Sequence, residues 1–224
     1  RPGPASWELP APSGPYDNRM GYTGLRNSIS LLHAHGFDVV AQARSNDALE
    51  RIAHLGLFPP YHEKPQAGLH ITGRTGTPLF SAAQPARLYA RFEDIPPVLV
   101  ASLLFIENRE LLDKATPRRN PAVEWDRLMR ALWTATGSSR PGGSTLATQI
   151  EKFRHSPEGI TSSPSEKLRQ MLSASLRAYR GGELTMAARR QIVVDYVNSV
   201  PLSAVPGGGE VIGLGDGLAE WYGV

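Results

Sequence analysis

From Val98 to Asn198 apolar residues recur at helical spacing in five stretches, over residues 98–112, 121–136, 145–153, 165–179 and 185–198. Pro141-Gly142-Gly143, Ser162 to Pro164 and Pro206 to Gly209 punctuate them as loops. A chain so patterned commits this half to an α-helical domain. The part before it reads differently. Gly24 to His35 has helical spacing closed by Gly36, Phe37 to Ala43 reads as a strand, and Ser45-Asn46-Asp47 caps a short helix that stops at Gly56. Leu69–Thr72 and Pro78–Ser81 flank a Gly-Arg-Thr-Gly turn, the pattern of a hairpin, and Arg87–Arg91 adds a strand before Ile95-Pro96-Pro97. Residues 1–16 are proline-rich and read as an extended linker from something upstream. The expected fold is therefore α+β: a linker over 1–16, a small α/β unit over 17–66 and a mainly α-helical domain over 67–224.

Composition narrows the partners. A formal charge of +3 with a pI near 9.3 suits anionic headgroups or phosphates and is too weak to argue for nucleic acid. Basic residues group at Arg118-Arg119, Lys152–Arg154 and Lys167–Arg169, whereas Arg189-Arg190 reads as a solvated helix face. The absence of cysteine rules out disulfides and thiolate metal sites. No run of 18 apolar residues is present, so a membrane contact of this segment would be interfacial. The six histidines are scattered without metal-ligand spacing, and Trp125 and Trp133, on one helix face, read as core.

Two places carry chemistry. Between Gly142 and Lys152 the chain reads Gly-Gly-Ser-Thr-Leu-Ala-Thr-Gln-Ile-Glu-Lys. The glycines let backbone approach a ligand, Ser144 and Thr145 offer hydroxyls and a helix N-cap, and Gln149 and Lys152 follow about one turn apart, a pattern that favours an anionic, oxygen-rich ligand or a plain capped helix after a loop. Glu107 ends the apolar run Val-Leu-Val-Ala-Ser-Leu-Leu-Phe-Ile, a setting suited to a general base.

The order of the pieces resembles the family 51 glycosyltransferases, the peptidoglycan glycosyltransferase domains of bifunctional penicillin-binding proteins and of monofunctional cell-wall transglycosylases. Glu107-Asn108-Arg109-Glu110-Leu111 is similar to the family's Glu-Asp-x-x-Phe, and residues 142–152 to its Gly-Gly-Ser-Thr-Ile-x-Gln-Gln-x-x-Lys. Glu166-Lys167-Leu168-Arg169-Gln170 with Ala174 stands for Arg-Lys-x-x-Glu-x-x-x-Ala, Ile192–Asn198 for Ile-Leu-Glu-x-Tyr-Leu-Asn, and Trp221-Tyr222-Gly223 for a closing Tyr-Phe-Gly. The resemblance implies a lysozyme-like helical lobe that polymerises lipid II on the outer face of the bacterial cytoplasmic membrane. Glu107 would act as base and Lys152 and Lys167 would neutralise the departing undecaprenyl diphosphate. Ser144, Thr145, Gln149 and Asn108 would bind substrate oxygens, and Gln170 would occupy the family's second catalytic position.

Several positions depart from the family. Asp becomes Asn108, Phe becomes Leu111, a Gln becomes Thr148, Arg becomes Glu166, Glu becomes Gln170 and another Glu becomes Val194. No metal ligand is identified; Mg2+ or Mn2+ is the cofactor the resemblance allows, and losing the charges at Asn108 and Gln170 weakens its binding most. The alternatives are a degenerate domain that grips lipid II or glycan without polymerising it, and a lysozyme-like glycan cleaver, against which the two lysines argue. Glycan strands, the membrane interface and other cell-wall synthesis proteins are the expected partners. The family usually continues with helices beyond the position of Val224.

Overall fold

The computed structural model describes residues 15–39, 46–58, 60–124, 144–207 and 209–224. Most of the proline-rich linker, residues 40–43 of the expected strand, residues 125–136 of the expected second helix, Gly142, Gly143, Trp125 and Trp133 lie outside the described residues. The fold is α+β, mainly helical towards the C-terminus, with two small antiparallel hairpins. The chain divides into two compact units, residues 1–60 with 151–173 and residues 61–150 with 174–224.

The first unit opens with α1 (Pro15–Arg19), α2 (Leu25–Ala34) and α3 (Asp47–His54). Asn46 caps α3 as its sequence predicts, Oδ1 accepting from the Leu49 N–H at 2.9 Å. Asp47 and Glu50 in the first turn and Arg51 and His54 in the last complement the helix dipole. Phe37 to Val39, the described part of the expected strand, carry no regular structure. The unit is completed by residues of α5 (Leu146–His155) and α6 (Pro164–Tyr179), helices that contribute to both units.

In the second unit, β1 (Ala67–Thr72) pairs antiparallel with β2 (Pro78–Gln84) around the Gly73–Gly76 turn. Next, α4 (Pro97–Glu107) ends where Asn108 leaves helical geometry at φ −161° and ψ 82°, five residues before its apolar pattern runs out. Helix α7 (Met186–Ser199) is the centre of the core: Ile192, Val193, Val194, Tyr196 and Val197 are all buried, which is why its pattern is not one-sided. Val194, where the family carries Glu, is 4% exposed and so serves packing.

Further features differ from the expectation. Beyond α7, β3 (Pro201–Val205) and β4 (Gly209–Ile212) form a second hairpin, followed by α8 (Leu214–Tyr222). Gly213 starts that helix at φ +79°, and a Cβ there would meet the Asn198 carbonyl oxygen at 2.8 Å, so the position excludes a side chain. Arg87–Arg91 is not a strand. Its backbone bonds to side chains instead: Asp216 accepts from the N–H groups of Ala86 (2.7 Å) and Arg87 (2.8 Å), and the Asn198 amide accepts from Tyr89 N–H (3.0 Å) and donates to its carbonyl (2.8 Å).

Candidate functional site

Glu107 is the last residue of α4 and half-buried. Gln149, in the first turns of α5, donates from Nε2 to Glu107 Oε2 at 2.8 Å. Among the described residues the other oxygen, Oε1, carries no hydrogen bond. The pair thus holds the carboxylate by one oxygen and leaves the second to receive a proton. Tyr196 stands within the same electrostatic reach: burial first, and the Glu107 charge second, push its phenol up to about 12. The family-like stretch Ile192–Asn198 contains Tyr196, yet nothing in its spacing marks it as a neighbour of Glu107. Asn108 is 5% exposed and its N–H closes α4 on the Leu104 carbonyl at 3.1 Å.

Thr145 and Thr148 explain the start of α5. The Thr148 hydroxyl accepts from the Thr145 N–H at 2.9 Å while Thr145 Oγ1 accepts from the Thr148 N–H at 3.3 Å, a reciprocal cap closed by a hydroxyl instead of the usual carboxylate or amide. Both residues are buried, so the replacement of the family's Gln by Thr148 is accounted for by capping. Ser144, just before the cap, is half-buried.

In the first unit, Lys152 of α5 and Lys167 of α6 lie within range of each other's charge. Burial, and then the Lys152 charge, hold the Lys167 ammonium below its ordinary proton affinity. Close by in sequence, Gln170 has no exposed surface; its Nε2 donates to Ser156 Oγ at 2.9 Å and to Thr161 Oγ1 at 3.0 Å. Ser156 in turn donates to Glu166 Oε1 at 2.5 Å. The carboxylate one turn upstream and the amide downstream therefore fit each other: the single Ser156 proton goes to Glu166, and its oxygen needs the donor that Gln170 supplies.

That network sets an expectation. Gln170→Glu should destabilise the protein by about 1–3 kcal/mol, because a buried acceptor would face a hydroxyl whose proton is already committed. Burial beside Glu166 would raise the new carboxyl's proton affinity in the folded state, so the variant should be nearest the parent at low pH and lose stability as pH rises through that folded value. Urea midpoints at about pH 5 and about pH 8 measure this; an equal deficit at both would show that the new group does not stay buried.

Arg189 was expected on a solvated face and is instead fully buried. Its Nη1 donates to the carbonyls of Leu111 (3.0 Å) and Asp113 (3.1 Å), and Nη2 to that of Thr116 (2.8 Å), fastening the segment that follows Glu107. Thr185 adds bonds to the Pro117 and Arg119 carbonyls. Arg190 does face solvent, where it pairs with Glu93. No signal in the Arg-Arg dipeptide separates the two; only the carbonyls of residues 111–116 do.

Among the described residues no group of three or more His, Asp or Glu side chains could hold a metal ion. Asn108 and Gln170 each offer a neutral amide, and the Gln170 amide is already bonded, so neither supplies the charged oxygen that a hard divalent cation wants.

Comparison with curated proteins finds no match. The transglycosylase family model matches residues 75–224, a span that holds Glu107 with Gln149 as well as Lys152 with Lys167. With its motif series in order and most of its length matched, the chain belongs to the transglycosylase family of peptidoglycan glycosyltransferases.

Proposed function

We propose that this domain polymerises lipid II at the outer face of the bacterial cytoplasmic membrane. The acceptor sugar's 4-hydroxyl oxygen bonds to the donor's anomeric carbon with inversion, the bond from that carbon to the diphosphate oxygen breaks, and undecaprenyl diphosphate leaves as an anion. Glu107 takes the hydroxyl proton. A diphosphate needs no general acid, so one base suffices. Lys152 and Lys167 neutralise the leaving group, and Gln149 keeps the Glu107 carboxylate in place.

The observation that carries this reading is the lysine pair. Lys152 and Lys167 stand on different helices within each other's field, so both attract an anion that comes between them. Cleavage of a neutral glycosidic bond develops no charge that such a pair would stabilise, which disfavours a lysozyme-like hydrolase. Lys152→Ala and Lys167→Ala should each weaken lipid II or phosphoglycolipid binding by about 1–3 kcal/mol. Unchanged affinity in a direct titration would put the diphosphate elsewhere.

The Gln170 network favours a second reading, a domain that binds lipid II without polymerising it, because the amide is engaged with Ser156 and Thr161. A turnover assay beside the titration separates the two: binding without turnover selects the second.

A further inference from the structure

The segment before residue 61 has no assigned part in glycosyl transfer. Its buried aromatic side chains, Tyr16 and Phe58, are 3% and 5% exposed. Phe58 touches both lysine-bearing helices. Its ring centroid lies 4.7 Å from that of His155 on α5, and the Arg169 guanidinium of α6 sits 4.1 Å from the ring centroid. Its backbone N–H donates to Ser173 Oγ, also on α6, at 2.9 Å. Tyr16 adds to the α5 side, meeting His155 edge-on at 6.4 Å with Arg154 5.4 Å from its ring.

We infer that Phe58 is a positioning residue that ties α5 to α6 and so holds Lys152 and Lys167 together as an anion site. The inference rests on the reading of those lysines as diphosphate ligands. Two sets of contacts join the two helices. The Gln170–Ser156–Glu166 chain supplies a polar tie from within residues 151–173. Phe58 supplies the other from the N-terminal segment, through an imidazole tilted against its ring, a cation over its face and a buried hydrogen bond. A pair held at its spacing meets a diphosphate without first reorganising, which raises affinity without adding a contact. Phe58 thereby belongs to the anion-binding unit.

The test is titration of the 224-residue chain with inorganic diphosphate. Phe58→Leu keeps an apolar side chain but removes the ring, and should weaken diphosphate binding about tenfold. Phe58→Tyr keeps the ring and should bind as the parent does. Ser173→Ala loosens the same tie from its other end and should lower affinity in the same direction; it covers the case of a Phe58→Leu chain that does not fold. In a Lys152→Ala background there is no pair to hold, so Phe58→Leu should add no further loss, whereas general loosening of the fold would add its full effect. Parent-like affinity in both Phe58→Leu and Ser173→Ala, or full additivity with Lys152→Ala, overturns the inference. Unchanged diphosphate affinity in Lys152→Ala alone overturns the reading beneath it, and the inference with it.

Discussion

Glu107→Gln should lower the rate of lipid II polymerisation by about 10²–10⁴-fold, the range a general base contributes, with lipid II affinity nearly unchanged. The change is well isolated. Gln149 donates to one Glu107 oxygen, and the carbonyl of a new amide can accept the same bond, so the side chain keeps its place while losing its basicity. A second readout needs no turnover. The Tyr196 phenol is raised from 10.0 to about 12 by burial and by the Glu107 charge, so the neutral phenol contributes stability that is full below pH 10 and is lost as pH climbs to about 12. Removing the Glu107 charge deletes the lesser cause, and ultraviolet titration should show the phenol ionising at lower pH in the variant. Glu110→Gln is the control, since Glu110 is exposed and paired with Arg119. Equal loss of turnover in both variants, with Tyr196 unmoved, would end the assignment of Glu107 as base.

What could be read from the sequence follows from how local its causes are. The α3 cap was legible because Asn46 acts on an N–H three residues away, and the β1–β2 hairpin because its turn lies within the Gly-Arg-Thr-Gly run. Arg87–Arg91 looked like a strand for the same local reasons, yet the groups that satisfy its backbone, Asn198 and Asp216, arrive from more than 100 residues away. The overrun of α4 has a similar origin: Leu111 and Leu112 continue the apolar pattern, but the chain turns at Asn108 and Leu111 is buried on the far side of that turn. Short strands such as Pro201–Val205 leave too few residues for a period of two to declare itself. The candidate site divides in the same way. Glu107, Gln149, Lys152 and Lys167 are candidates because the family pattern names those positions; Tyr196 as a neighbour of Glu107, the Gln170 network and the Phe58 contacts carry no such mark, since each depends on which side chains meet across the fold.

Arg189→Met should lower the stability of the protein by about 3–5 kcal/mol, a large share of the about 5–15 kcal/mol that holds a domain folded. Methionine nearly fills the space but supplies no donors. The buried Leu111 carbonyl and the part-buried carbonyls of Asp113 and Thr116 would then sit without their charged partner, the buried one at a loss of about 1–3 kcal/mol and the others at less because water reaches them. Arg189→Lys separates charge from geometry: it keeps the cation, yet an ammonium cannot span three carbonyls as the guanidinium fork does, so it should recover only part of the loss. Because those carbonyls lie in the segment directly after Glu107, the effect should also be local. Hydrogen exchange in the lysine variant should rise first at amides of residues 108–119, where Asn108–Leu111 and Thr116–Arg119 close turns, while the α7 core stays protected. A urea midpoint for Arg189→Met equal to the parent's would show that solvent reaches these carbonyls freely, and that the segment behind Glu107 is held by Thr185 and its neighbours instead.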